Sequence, residues 1–360
     1  MYTFLLKPTN NCNLRCNYCF IDGDSKSSSP VMSIPIAEMC FSQIHEFVKS
    51  QNQNICNILW HGGEPMLWGL DKFKHIFLLL DNTYPDIKFQ HSIQTNLLLL
   101  DKDWIDFFLH YKIHVSTSLD GTKLIHDSNR LYKDGNGSFE NVLANIKLAN
   151  RYGMRIGVIT VVSSRNVDHL PEIYEFFKRE GIGFKLNPLL MIGEAVKNNS
   201  LAITVKAYAE AIKELFDIWI KEKSTIPITN FIEIASNLAT GFTSVCVFSQ
   251  NCQRSFTTIE PNGDITPCDR LCGNASYIFG NVMTDNLSDC VEQKKILFEE
   301  RYLELEKTEC SGCSFFDICR GGCPADAIQY RSIANKTPFC EANREIFEHI
   351  KSYLINNKKL

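Results

Sequence analysis

Apolar positions along the first half of the chain switch period in a regular way. YTFLL (2–6) is a continuous apolar run of strand length, and over 34–50 Ile36, Met39, Cys40, Ile44 and Phe47 fall on one helical face. The alternation then repeats. ICNILW (55–60) predicts a strand and 70–82 a helix; IKFQHSI (87–93) predicts a strand and 101–111 a helix. IHVSTSL (113–119), RIGVITVV (155–162) and GFKLN (183–187) predict three more strands, separated by helices over 138–152 and 168–180. Short buried strands alternating with helices argue for a parallel sheet of βαβ units. Six strands are too few for a closed eight-unit barrel. The pattern predicts an α/β fold, a partial (β/α)6 barrel, with its site at the C-terminal ends of the strands.

Residues 204–240 read as helical and connect this unit to a different kind of sequence. Beyond Cys246 the periodicity breaks up. SFTTIE and DITPC flank Pro261-Asn262-Gly263, a hairpin signal because glycine tolerates positive φ. Loop-rich, cysteine-rich sequence follows, closed by a helix near 341–356. Such a segment has few apolar residues for a core of its own, and bound metal would supply the missing stabilisation. The expected division is a barrel over 1–200, a helical connector over 201–245, a small cysteine-rich domain over 246–345, and a C-terminal helix and tail over 346–360. Ser25–Ser29 reads as a short loop.

Composition narrows the class. At 360 residues the chain exceeds the size at which single cores stop growing. A formal charge of −4 gives no electrostatic reason to expect nucleic acid. No run of eighteen apolar residues could span a bilayer. The start, MYTFLLKPTNNC, lacks the apolar region of a signal peptide. A cytoplasmic location is expected, and there disulfides are rare. The 15 cysteines therefore point to metal or catalysis. Their distribution agrees: three lie within 12–19, Cys40 and Cys56 stand apart, and ten fall in 246–340.

The first group, Cys12-x3-Cys16-x2-Cys19, follows the first strand. Three thiolates can bind three irons of a [4Fe–4S] cube and leave the fourth open, which makes a metal site reactive. A zinc site completed by a distant histidine is the plainer reading, but the loop sits where a parallel sheet places chemistry. Cys-x3-Cys-x-Tyr-Cys here resembles the signature of the radical S-adenosylmethionine (SAM) superfamily. The resemblance implies that the open iron chelates the amino and carboxylate groups of SAM. An electron from the cluster then cleaves SAM to a 5′-deoxyadenosyl radical, and Tyr18 packs near the adenine. His61-Gly62-Gly63-Glu64-Pro65, after the second strand, is similar to the family's GGEP motif, which holds the SAM amino group. Gln94-Thr95-Asn96 ends strand three, and Asn96 is expected among the SAM contacts. Ser118-Leu119-Asp120-Gly121 ends strand four. The family implies that Ser118 and Arg130 bind the ribose and the SAM carboxylate, for which a guanidinium fork is suited.

The second group resembles the SPASM extension of radical SAM peptide modifiers, on Cys252-x10-Gly263-x4-Cys268 followed by Cys310-x2-Cys313-x5-Cys319-x3-Cys323 and Cys340. One or two zinc ribbons would be the alternative. The resemblance implies two auxiliary [4Fe–4S] clusters, making three in all. Cys246, Cys252, Cys268 and Cys323 would bind one; Cys310, Cys313, Cys319 and Cys340 the other. Cys272 competes with Cys246 for the first. Cys40, Cys56 and Cys290 are expected to be buried apolar residues.

Two features pull the expected reaction apart. Asp269 follows Cys268, as in anaerobic sulfatase-maturating enzymes, where that aspartate serves as base for a target cysteine or serine; a turn aspartate is the plainer reading. Those enzymes, however, carry glutamine where this chain has His61. The segment His126-Asp127-x2-Arg130-x4-Gly135-x-Gly137-Ser138-Phe139 resembles enzymes that crosslink side chains of ribosomally made peptides. The crosslinking reading is preferred, with carbon–carbon or thioether products, and formylglycine formation from cysteine or serine is its alternative. A multi-zinc scaffold or an electron-transfer protein is the non-enzymatic alternative. Expected partners are a peptide or protein substrate and a flavodoxin or ferredoxin as electron donor; because the chain begins almost at its first strand, leader recognition is expected to use the main body or a separate leader-binding protein.

Overall fold

The computed structural model describes residues 1–21, 30–243, 246–248 and 252–357; the Ser25–Ser29 loop lies outside the described residues. All six expected strands form: β1 (Tyr2–Thr9), β2 (Ile55–Gly62), β3 (Lys88–Gln94), β4 (His114–Ser118), β5 (Ile156–Val162) and β6 (Phe184–Pro188). They pair in parallel, each with the next in sequence. The crossovers carry α1 (Ile34–Ser50), α2 (Leu70–Thr83), α3 (Lys102–His110), α4 (Phe139–Arg151) and α5 (Leu170–Glu180). Local chemistry sets their ends. Ser33 caps α1 by accepting from the Ile36 amide, Asp101 caps α3 by accepting from the Trp104 amide, and α5 stops at Gly181 with φ 69°. The apolar faces of these helices close on the sheet through a fully buried aromatic group that includes Phe4, Phe41, Trp60 and Phe73.

The sheet does not end at β1. The hairpin around Gly263 (φ 91°) is built from β7 (Phe256–Ile259) and β8 (Asp264–Thr266), followed by β9 (Gly280–Asn281). β7 runs parallel to β1, with Thr3 opposite Phe256 and Leu6 opposite Ile259. The sheet thus reads β6-β5-β4-β3-β2-β1-β7-β8-β9, and the cysteine-rich segment continues the barrel sheet across β1. A buried ion pair, Lys7 to Glu260 at 3.1 Å, ties the two at the strand ends. The hairpin turn thereby lies at the C-terminal end of β1, where the cysteine loop begins, and β8 runs back from it toward Cys268.

The helical stretch expected over 204–240 forms, and one expectation needs correction. The connector is two helices, α6 (Val205–Lys221) and α7 (Thr229–Thr240), and the turn between them docks Ile228 against Phe184 of β6. The cysteine-rich region is more helical than its sequence pattern indicates, with α8 (Leu287–Lys307) and α9 (Pro324–Tyr330) ahead of the closing α10 (Cys340–Asn356). α8 escapes the apolar periodicity because two positions on its buried face are Lys294 and Arg301, 1% and 3% exposed. Cys40, Cys56 and Cys290 are buried. Among the described residues no helix is long and apolar enough to cross a membrane.

Candidate active site

The cysteine loop leaves β1 and lies between two backbone straps. On one side, Arg15 and Asn17 donate their amides to the carbonyls of Leu131 and Asn129 at 2.8 and 2.9 Å. On the other, Gly63 and Glu64 donate to Thr9 and Asn11 at 2.9 and 2.8 Å. A Cβ at Gly63 would stand 2.2 Å from the Asn11 carbonyl oxygen. The glycine at 63 is therefore required by contact with the cysteine loop itself, and it also lines the cleft. The Cys12 sulfur accepts the Leu14 amide at 3.4 Å and the Asn96 side-chain amide at 3.7 Å. Burial, then the charges of Glu64, Cys16 and Cys19, push the Cys12 thiol up to about 12. All three thiols line one cleft. Among the described residues no three donor side chains converge as they would on a single ion. Thiols spread round a loop suit a cube, in which each binds a different iron.

Opposite the loop stands a buried pair that the sequence only half reveals. Arg130 Nε donates to Asp120 Oδ2 at 3.0 Å, and its guanidinium lies over the Tyr18 ring, 5.1 Å from the centroid. The Tyr18 hydroxyl also donates to Asp120, whose second oxygen accepts the Val161 amide at 3.0 Å. Burial works against the Arg130 charge, and Asp120 more than restores it. Behind the pair runs a hydrogen-bond relay. The Asp120 amide donates to His126 Nδ1 at 3.3 Å, so Nε2 carries the proton and donates to Ser138 Oγ at 2.9 Å; Ser138 then donates to the Arg130 carbonyl at 2.8 Å. Burial holds His126 neutral, with its pKa down at about 4. Asp127 accepts the Phe139 amide at 2.9 Å, and a Cβ at Gly137 would fall 2.0 Å from the Asp127 carboxyl carbon. The segment 126–139 is thus a brace for Asp120 and Arg130. An acid closing strand four, ten residues ahead of an arginine, is the signal that could have found Asp120.

Glu64 is fully buried and clamps two strand ends. It accepts from the Met66 amide at 2.9 Å, the Thr95 hydroxyl at 2.7 Å and the Asn96 amide at 2.7 Å. Burial outweighs these bonds and raises its carboxyl to about 7. Asn96, so placed, donates to Asn13 at 2.6 Å. Glu64 and Pro65 stand behind the cleft wall. Cys12, Cys16, Tyr18, Cys19, Gly62, Gly63, Asn96, Ser118, Arg130 and Asp269 line the cleft, which has a volume of about 260 Å³.

A second cavity of about 880 Å³ adjoins it. The two share Phe20, Ile192, Asp269 and Arg270, so Asp269 stands at their junction. Its Oδ2 lies 3.6 Å from His61 Nδ1, longer than a direct hydrogen bond. Burial lowers the His61 pKa, and the Asp269 charge pulls it back up. The His61 ring stacks on Phe20 at 5.6 Å.

The C-terminal thiols gather in two sets. Cys246 and Cys252 lie 4.0 Å apart at sulfur, and Cys252 feels the charges of Cys323 and Cys268. Cys268 and Cys323 share a small core with Phe298. Cys319 feels the charges of Cys340, Cys310 and Cys313. Cys272 stays close to Cys268, its thiol donating to the Cys268 carbonyl at 3.5 Å, and it also lines the larger cavity.

Comparison with known proteins places the chain. Residues 6–177 match the model of the radical SAM superfamily, and residues 246–314 match the iron–sulfur cluster-binding domain SPASM. A cysteine-type anaerobic sulfatase-maturating enzyme of Clostridium novyi is 30% identical over 96% of this chain and 94% of its own length. A solved structure described as native anSMEcpe with bound AdoMet and Cp18Cys peptide superposes with a TM-score of 0.85 at 26% identity, over 99% of this chain and 98% of that one. Streptococcus suis SuiB bound to its precursor peptide SuiA shares the fold, with a TM-score of 0.67 at 17% identity over 94% of this chain and 76% of that one. The chain belongs to the radical SAM superfamily and carries a SPASM domain. It is an enzyme that binds SAM and a [4Fe–4S] cluster, and its SPASM domain binds auxiliary iron–sulfur clusters.

Proposed function

We propose that this enzyme oxidises a cysteine side chain, in a peptide segment of a sulfatase, to formylglycine. The observation that carries the reading is Asp269, set where the SAM cleft opens into a cavity large enough for a peptide segment. The similarity to cysteine-type sulfatase-maturating enzymes extends over nearly the whole chain. It favours this reading over side-chain crosslinking, which drew on residues 126–139. His126, Asp127 and Ser138 are engaged in bracing Asp120 and Arg130, so that segment bears on SAM and carries no information about the substrate.

When bound, the cluster on Cys12, Cys16 and Cys19 supplies the electron for cleavage of SAM, and the auxiliary clusters take up the electron that the substrate loses. A flavodoxin or ferredoxin would supply the first electron. The chain's own residues orient the reactants. Arg130, fixed by Asp120 and stacked on Tyr18, presents the rest of its guanidinium to the SAM carboxylate. Asn96 and Ser118 bound the same cleft. With SAM bound to supply the hydrogen-abstracting radical, the substrate β-carbon would lose a hydrogen atom and Asp269 would take the thiol proton. Loss of one electron leaves a thioaldehyde. Water replaces its sulfur, giving the aldehyde and hydrogen sulfide.

The test is Asp269→Asn, which keeps size and shape. Product formation should fall by about 10²–10⁴-fold while 5′-deoxyadenosine still accumulates, both read by chromatography of one reaction. Normal product yield from the variant would reduce Asp269 to a turn residue.

A further inference from the structure

α8 buries two cations, Lys294 and Arg301, on the face that Phe298 packs against Cys268 and Cys323. Lys294 is 1% exposed, and its ammonium donates to the Tyr2 hydroxyl at 2.9 Å, the Thr257 hydroxyl at 2.7 Å and the Phe256 carbonyl. All three of its protons are thereby engaged, none with a carboxylate. Phe256 and Thr257 open β7 immediately after the helical turn Cys252–Ser255. Phe298, one turn along α8, packs with Cys268 and Cys323. Arg301 follows on the same face and donates to the carbonyls of Arg320, Gly321 and Asn335 at 3.2, 3.3 and 3.1 Å.

A buried ammonium is costly unless a negative charge faces it. Burial lowers Lys294 to about 7, against the upward pull of Cys252 and Cys268. Arg270 also approaches this group, with Nη1 3.7 Å from the Cys323 sulfur, but Asp326 at 2.5 Å neutralises it. Lys294 has no such counter-ion among its hydrogen-bond partners.

We propose that Lys294 is the counter-charge of the first auxiliary cluster and raises its reduction potential, so that the electron leaving the substrate is drawn to it. The inference rests on Cys246, Cys252, Cys268 and Cys323 being the ligands of that cluster. A fixed positive charge stabilises the reduced, more negative state, and a low-dielectric site screens it little.

The experiment is a potentiometric titration, followed by electron paramagnetic resonance, of the full chain reconstituted anaerobically. Cys12, Cys16 and Cys19 are replaced by alanine so that only auxiliary clusters respond. Lys294→Met should lower the one-electron reduction constant of one cluster about tenfold, a shift of 59 mV, and leave the other unchanged. Lys294→Arg should return it toward the parent value. Unchanged potentials at full iron content overturn the proposal. A parent protein without the iron of two clusters would refute the ligand assignment instead. If Lys294→Met loses its iron, Lys294→Gln takes its place in the titration. If both neutral variants lose iron, retention by Lys294→Arg supports the counter-charge, and loss there as well overturns it.

Discussion

The N-terminal cysteine loop and the C-terminal thiols are both built for iron–sulfur clusters, and they differ in how they are held. The loop supplies three thiols from eight residues, fixed by backbone hydrogen bonds to neighbouring strand ends, with Asp120 and Arg130 across the cleft. The C-terminal thiols are expected to form two sets of four, drawn from Cys246 to Cys323 and from Cys310 to Cys340. Three ligands leave an open coordination position and hence reactivity; four close the site and leave electron transfer. The frame of the loop is a sheet with its own core. Much of the C-terminal region, including Ile265, Leu287, Phe315, Cys319 and Phe347, joins that same core, while Cys268, Cys323 and Cys310 sit in small clusters of their own.

Mutations can break this comparison at either end. The largest effect is expected in the loop. Replacing any one of Cys12, Cys16 or Cys19 with alanine should abolish reductive cleavage of SAM, read as 5′-deoxyadenosine released under dithionite. Wild-type rates from the single variants would contradict the assignment of this loop. Cys310→Ala or Cys340→Ala should act through folding. Iron content and thermal stability should fall, while the surviving protein still binds SAM through the loop, measured by iron analysis and equilibrium dialysis.

A smaller effect sharpens the account of the brace. His126 is held neutral, with its pKa at about 4 against the usual 6.5. The folded state therefore binds that proton more weakly than the unfolded one. Stability present above pH 6.5 is lost as pH falls from 6.5 toward 4, by at most about 3 kcal/mol at 1.36 kcal/mol per unit. His126→Asn should flatten the stability profile over that window in denaturant titrations.

Legibility in the sequence follows the same division. The six barrel strands stand out because a parallel sheet buries both faces and writes itself as apolar runs. The thiol groups stand out because few other residues do their chemistry. What the sequence conceals is polar and buried. α8 hides its periodicity behind Lys294 and Arg301, and Asp120 acquires meaning only beside Arg130 and Tyr18. The pairing of β7 with β1 is a contact between residues some 250 positions apart, which no local pattern announces. The segment 126–139 misleads in the opposite direction. Its motif is conspicuous, but its hydrogen bonds show it to serve the cofactor cleft, so it says nothing of the substrate.

The central claim, oxidation of a cysteine to formylglycine, is tested most directly on the product. The reconstituted enzyme is incubated anaerobically with SAM, a reductant and a short peptide carrying one cysteine in a sulfatase active-site sequence, and the peptide is then weighed by mass spectrometry with and without an aldehyde-specific hydrazine. The account predicts replacement of the thiol by an aldehyde that the hydrazine captures, with one 5′-deoxyadenosine per product. A peptide that loses two hydrogens, keeps its sulfur in a new internal bond and ignores the hydrazine would contradict it.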